Sequence, residues 1–306
     1  RIFILALPAW IWVYEFQLFF GTAEKPGLGL AVTLCAGLCN IALDALFIIG
    51  FQWGLAGAAA ASALTQIVGG VFPLIYFGRK NNSLLRLVKP VWDGRALLKC
   101  CTNGSSEFMA EAAASFVGII YNIQLLKYAG EGGVVIYGLL MYVSLILTAI
   151  FVGYSNGAGP VFSYHYGAQN HGELTNLLKK SLEIIGLTSA AMFAASETLA
   201  KPFSALFLQE EALLAEAVHA FRLVSFAYLF TGMAIFASAF FTALNNGQIS
   251  ALISFLRTFV FELGAVLLLP LLLGVDGIWF STVFAELMAA VTGGIFILAL
   301  RRKYQY

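Results

Sequence analysis

Long apolar runs separated by short polar breaks dominate the chain. Nine of them, at 2–20, 27–50, 53–78, 103–126, 133–162, 182–200, 221–244, 251–274 and 277–300, match the length of about 20 mostly apolar residues that a hydrocarbon core requires. They lack the alternation of an outer-membrane strand and therefore predict helices. The breaks Glu24-Lys25-Pro26-Gly27, Gly130-Glu131-Gly132-Gly133, Asn245-Asn246-Gly247 and Gly274-Val275-Asp276-Gly277 are short and rich in turn residues. Neighbouring helices are thus expected to run antiparallel.

Composition sharpens this picture. Of 306 residues, 60% are hydrophobic and 11% charged, against about 45–50% and about 25% in soluble domains. A soluble enzyme, a disordered chain and a nucleic-acid binder are excluded, the last because it needs a basic excess and the net charge is +1. The fold class is an all-α polytopic membrane protein with nine transmembrane helices. Cys35, Cys39, Cys100 and Cys101 offer neither a disulfide framework nor a metal spacing, and His165, His171 and His219 are scattered near span ends. Twelve of the 17 Lys and Arg residues fall on alternate loops, at Lys25, between Arg79 and Lys99, at Lys179 and Lys180, and at Arg301, Arg302 and Lys303. The positive-inside rule then places that side, with the C-terminus, in the cytoplasm.

Thr22, Ala23 and Gly27 align with Thr242, Ala243 and Gly247 at an offset of 220, and Gly50 and Gly54 with Gly274 and Gly277. The first three spans therefore read as a second copy of the last three, in the same orientation, as in a parallel repeat. Together with a start at Arg1 that opens directly into a span, this predicts a fragment of a twelve-helix, two-lobe protein. The expected layout is a partial N-lobe at 1–78, a basic amphipathic cytoplasmic linker at 79–102, and a six-helix C-lobe at 103–306. The GxxxG pairs Gly50/Gly54 and Gly153/Gly157 suggest close helix approach.

The stretch Asn40-Ile41-Ala42-Leu43-Asp44, followed by Phe47-Ile48-Ile49-Gly50, Gly54-Leu55-Ala56-Gly57 and Gln66, resembles the multidrug and toxic compound extrusion (MATE) family. Ser106-Glu107-Phe108, Gly157-Ala158-Gly159-Pro160 running into Tyr164-His165-Tyr166-Gly167, and Gly274-Val275-Asp276-Gly277-Ile278-Trp279 match in the same order. The resemblance covers nearly the whole chain, read as helices four to twelve. It implies H⁺- or Na⁺-coupled antiport of organic cations or other amphipathic compounds, with two lobes alternating access across a prokaryotic plasma membrane.

Ionisable residues at membrane depth are the candidates for the chemistry. Asp44 and Asn40 lie four apart on one helix face, and Ser62 is placed to face them; together they form the expected cation-coupling site, with Na⁺ at Asp44 the one metal considered. The family resemblance implies the same three positions. Interhelical hydrogen bonding is the plainer role for such groups, worth roughly 0.6 kcal/mol per contact. Glu107 and Glu111 share a face and, with Glu262 and Glu286, are the acidic candidates of the second lobe. Arg257 is expected to pair with Glu262 or Glu286, or to line a substrate cavity with Tyr121 and Asn122. The expected partners are small amphipathic or cationic substrates and the bilayer, with no nucleic acid, no cofactor beyond the coupling ion, and the chain acting as a monomer. A lipid-linked oligosaccharide flippase is the near alternative, although its anionic cargo calls for more than the two span arginines, Arg222 and Arg257. An intramembrane enzyme is the distant one, and no deep histidine or Ser–Lys constellation supports it.

Overall fold

Proline, glycine and asparagine decide where the helices stop. The computed structural model describes residues 2–80, 82–83 and 85–306, with the side chains of 2, 3, 106, 107, 109 and 110 outside that description. Its elements are α1 (Ile2–Leu5), α2 (Leu7–Thr22), α3 (Pro26–Asp44), α4 (Gly54–Gly78), α5 (Gly94–Asn103), α6 (Ser105–Gly167), α7 (His171–Phe207), α8 (Glu211–Ser225), α9 (Tyr228–Ala243), α10 (Gly247–Phe255), α11 (Leu263–Leu273) and α12 (Val275–Tyr304). Two π-helical segments, Ala45–Gly50 and Leu256–Glu262, continue α3 and α10. No strand occurs among the described residues. The chain divides into two units, one ending at Trp92 and the other starting at Asp93.

By length and apolarity six helices can cross a membrane, and the bent pair α8–α9, kinked by 45°, supplies a seventh. The expected nine spans differ from this at three places, each with a local cause. Pro8 starts α2 afresh after Ala6, so the first run becomes a short turn plus a 16-residue helix. The run 221–244 breaks at Phe226–Ala227, and its first arm begins ten residues early, at Glu211, in polar sequence. The runs 103–126 and 133–162 lie in one 63-residue element, α6, which leaves helical geometry at Gly130 (φ 66°, ψ −159°).

That glycine reverses the chain. Tyr121 and Tyr137 stack with ring centroids 5.1 Å apart, whereas 16 residues of straight helix would separate them by about 24 Å. Gly274 (φ 61°, ψ −134°) makes the matching turn from α11 to α12. Beside it Gly277 packs so tightly that a Cβ there would lie 2.4 Å from the Leu269 carbonyl oxygen. At the other end of this unit the turns use left-handed Gln169 and Asn245. Each is followed by an asparagine whose side chain accepts the backbone N–H of the next helix, Asn170 from Glu173 and Asn246 from Ile249. Glu24 builds the same turn between α2 and α3, and its backbone hydrogen bonds match those around Asn245 at an offset of 221. The sequence register of 220 is thus out by one at this turn. Because Gln169 repeats the geometry, the turn marks a short helix reversal in general.

In the first unit α2 and α4 meet through Phe16, Phe20 and Phe77, and α3 packs against them with Leu28 and Val32. The second unit has two apolar clusters. One surrounds Tyr121, Leu125, Ile136, Phe221, Val266 and Trp279. The other gathers Phe162, Phe236, Phe240, Phe241, Tyr304 and Tyr306 near the C-terminus. Close helix approach occurs at Gly232, where a Cβ would meet the Phe151 ring at 2.4 Å, and at Gly293, 2.6 Å from the Ala237 Cβ. Gly54, Gly153 and Gly157 have open space instead, so the GxxxG pairs mark no tight crossing. The stretch from Leu85 to Val91, where apolar and basic residues alternate, is not helical. The amphipathic helix follows it as α5, capped by Asp93, whose carboxylate accepts the N–H groups of Arg95 and Ala96.

Candidate functional site

In the first unit, α2, α3 and α4 enclose a hollow of about 250 Å³ lined by Gln17, Thr33, Asn40, Ser62, Thr65 and Gln66, among others. Gln17 donates to Thr33 Oγ1 and, at 3.3 Å, to the Gly29 carbonyl. Thr33 and Thr65 return their hydroxyls to their own helices. Asn40, Ser62 and Gln66 make no side-chain hydrogen bond among the described residues, which leaves an amide pair and a hydroxyl facing the hollow. Asp44 is the last residue of α3, one turn beyond Asn40 and immediately before the π-helical segment. It is half-buried and is not part of the hollow's lining, and its Oδ1 is enclosed with no hydrogen-bond partner. The structure therefore brings Asn40 and Ser62 to one cavity and sets Asp44 a turn away. Gln17 and Thr33 join them; Gln17, a polar residue in mid-span, was the available sequence signal.

In the second unit Arg257 pairs with Glu286 and not Glu262. Its Nη2 and Nε donate to Glu286 Oε1 at 2.6 and 3.2 Å. The glutamate side chain is 9% exposed and the arginine 25%. Glu286 Oε2 is buried with no partner. Glu262 ends the π-helical segment and interacts electrostatically with Arg257, Glu286, Tyr121 and Tyr137. Five residues along an α-helix are about 140° apart, but π winding closes i→i+5 contacts and brings Arg257 and Glu262 toward one side. Arg257 thus has Glu286 as its ion-pair partner, with Glu262 a further acid close enough to act on it electrostatically. Tyr121 completes the group from α6, bonded to Thr282 Oγ1 at 3.0 Å and 2% exposed. It is a core residue of this unit and does not pair with Asn122 on an open face.

Asn122 does share a face with Glu111. Glu111, Ser115, Gly118 and Asn122 follow the spacing i, i+4, i+7, i+11, and all but the half-buried glycine are exposed. On the same arm Ala113, Val117, Tyr121 and Leu125 are buried, while Phe116, Ile119, Ile123 and Leu126 are exposed and apolar. The arm accordingly has a packed face, a greasy face and, between them, a polar stripe. Glu107 lies outside the described side chains. Near the opposite end, Glu197 accepts the Ser225 hydroxyl at 2.5 Å and faces Arg222 at 3.8 Å. No group of three or more metal-ligating side chains occurs among the described residues.

Helices long and apolar enough to cross a membrane, with carboxylate oxygens enclosed at span depth, define a polytopic helical membrane protein. The MatE family profile matches residues 108–268, just over half of the chain, and the chain belongs to that family. Multidrug export protein MepA of Staphylococcus aureus (strain bovine RF122 / ET3-1) is 22% identical over 99% of this chain and 67% of its own length. The MepA of Staphylococcus saprophyticus is likewise 22% identical. Among solved structures, a MATE transporter in complex with MaL6 aligns with a TM-score of 0.84 at 20% identity, covering 91% of this chain. A MOP superfamily transporter from Pyrococcus furiosus aligns at 0.85 and 20% identity, covering 92%. The chain spans 64% of the length of each of these two solved chains.

Proposed function

We propose that this chain serves an ion-coupled antiporter, in which entry of H⁺ or Na⁺ drives expulsion of organic cations or other amphipathic compounds by alternating access between two lobes. The Asp44 carboxylate carries the proposal. An enclosed oxygen without a partner is costly in a membrane span unless a proton or a small cation completes it. Asn40 and Ser62 offer the neutral oxygens that a hard cation accepts once it sheds water. On the second unit the stripe Glu111–Ser115–Asn122 offers a cationic substrate a polar track at membrane depth. Glu262 is the acid there that Arg257 does not neutralise. The description of the MepA relatives as multidrug exporters supports a broad substrate range. A flippase for a pyrophosphate-linked lipid is disfavoured, because Arg257 and Arg222 already face Glu286 and Glu197 at 2.6 and 3.8 Å.

The test is dye efflux from an efflux-deficient bacterial host expressing the protein from its native reading frame. Asp44→Asn is expected to abolish efflux while the amount in the membrane stays normal. Undiminished efflux would refute the assignment.

A further inference from the structure

Helix α5 stands at the edge of the second unit's packing, and every residue from Gly94 to Thr102 is exposed. Its C-terminal end is nevertheless fixed. A Cβ at Gly247 would lie 2.6 Å from the Thr102 carbonyl oxygen, and the Asn103 side-chain amide donates to the Thr242 carbonyl at 3.4 Å. The helix is thus clamped on the turn between α9 and α10, whose Asn246 donates to the Tyr304 hydroxyl near the end of α12. Gly104 alone separates α5 from α6, whose part from Glu111 onward is apolar enough to cross a membrane. We propose that α5 is a docking surface for the headgroups of anionic phospholipids, with Leu97 and Leu98 turned toward the acyl boundary and the lipid phosphate seated against Arg95 and Lys99.

Position, exposed apolar surface and charge each point to that partner. The one-residue link to a spanning helix holds α5 where that span leaves the hydrocarbon, the interface in which amphipathic helices lie. Leu97 and Leu98 are 49% and 65% exposed, a greasy surface that water does not favour and an acyl boundary does. Arg95 and Lys99 are four residues apart and so share one face of the helix. Neither forms an ion pair among the described residues. Like charges at that spacing repel, and a phosphate between them replaces repulsion with charge-assisted hydrogen bonds. Asp93, the acid nearest them in sequence, turns its Oδ1 to the backbone N–H groups of Arg95 and Ala96. Exposed Arg301, Arg302 and Lys303, flanking Tyr304, extend the positive charge of this end. A zwitterionic headgroup brings its own cation to each phosphate and gains little from such a surface. An anionic headgroup gains about fivefold in affinity per cation. A soluble phosphate would make no use of the leucines. This docking does not depend on the antiport proposed above.

The experiment is native mass spectrometry of the purified full chain in detergent, titrated with phosphatidylglycerol or with phosphatidylcholine of the same acyl chains. The unaltered chain is expected to bind phosphatidylglycerol about 25-fold tighter, a factor of about five for each of the two cations. Arg95→Gln and Lys99→Gln are each expected to cut that preference about fivefold, and the double variant to remove it. Lys127→Gln combined with Lys201→Gln, two cations toward the opposite end of the unit, is the charge-matched control and should leave the preference unchanged. Leu97→Ser combined with Leu98→Ser should weaken both lipids alike. Thermal midpoints within about 2 °C of the unaltered protein would show that the variants fold. A preference below about threefold in the unaltered chain, or one that survives in the double variant, would overturn the proposal. So would displacement of phosphatidylglycerol by an equal concentration of glycerol 3-phosphate, which would assign the site to a soluble phosphate. None of these measurements reads efflux, so this proposal and the antiport fail separately.

Discussion

Removing either partner of the Arg257–Glu286 pair should destabilise the second unit, and unequally. Two unit charges about 4 Å apart attract by about 4 kcal/mol at an effective dielectric of about 20. Breaking a buried pair typically costs about 3–5 kcal/mol because one charge is left uncompensated. Here the outcome depends on Glu262, the second acid near the guanidinium. In Glu286→Gln, Arg257 keeps a hydrogen-bond acceptor and retains Glu262 as a counter-charge, so the loss should be about 2 kcal/mol, below the range for an isolated pair. In Arg257→Met, two carboxylates face each other without a cation, and the loss should be about 4 kcal/mol, within that range. At about 2–4 °C per kcal/mol, the thermal midpoint should fall by roughly 4–8 °C in the first variant and roughly 8–16 °C in the second. The double variant Arg257→Met, Glu286→Met removes the pair as a unit and should recover part of the larger loss. Tryptophan fluorescence of the purified protein during heating measures all three. Equal losses in the two single variants, or a double variant matching their sum, would refute the reasoning, since independent sites add.

Two further outcomes follow from packing and topology. Gly277→Ala should cost about 3 kcal/mol or more, because its Cβ would sit 2.4 Å from backbone oxygen. Gly264→Ala, which has nothing within 4 Å, should be neutral or gain about 0.5–1 kcal/mol from helix propensity; the same heating assay separates the two. In a chain with Cys35 and Cys39 replaced by alanine, a membrane-impermeant maleimide should label Cys100 and Cys101 in inverted vesicles and not in intact cells. Both thiols are exposed on α5, beside the basic stretch that the positive-inside rule places in the cytoplasm. Labelling of intact cells would invert the topology.

Much of the fold was legible because local chemistry fixes it. The runs 27–50 and 53–78 coincide with Pro26–Gly50 and Gly54–Gly78 almost to the residue. Pro26 and Gly54 allow a helix to begin there, and few other backbones would accept the positive φ of 54° at Gly54. Gly130 and Gly274 were recognisable as breaks for the same reason. The start of α8 was not. Glu211, Glu216 and His219 lower its apolarity, so a hydropathy reading picks up the helix only at Phe221, where it turns into the core. Close packing was misread too. The glycines that matter, Gly232 and Gly293, are defined by the Phe151 ring and the Ala237 methyl across a helix interface, and no spacing along one helix reveals a neighbour.

The candidate site was legible as a set of residues and illegible as a set of partners. Asp44, Glu262 and Glu286 stood out because charge is rare at span depth, but which acid Arg257 meets depends on winding. On α-helical spacing Arg257 and Glu262 lie about 140° apart on one helix, so the sequence left both Glu262 and Glu286 open as partners of Arg257. The Leu256–Glu262 segment abandons that spacing and draws them together, while α12 brings Glu286 to the same guanidinium. A π-helical segment also begins directly after Asp44. In each unit, then, an acid at membrane depth borders a stretch whose extra residue per turn disturbs the hydrogen-bond ladder. Such stretches weaken a helix and persist where function favours them. The coincidence in both units argues that the winding and the acids belong together: the π segment sets which face each carboxylate presents.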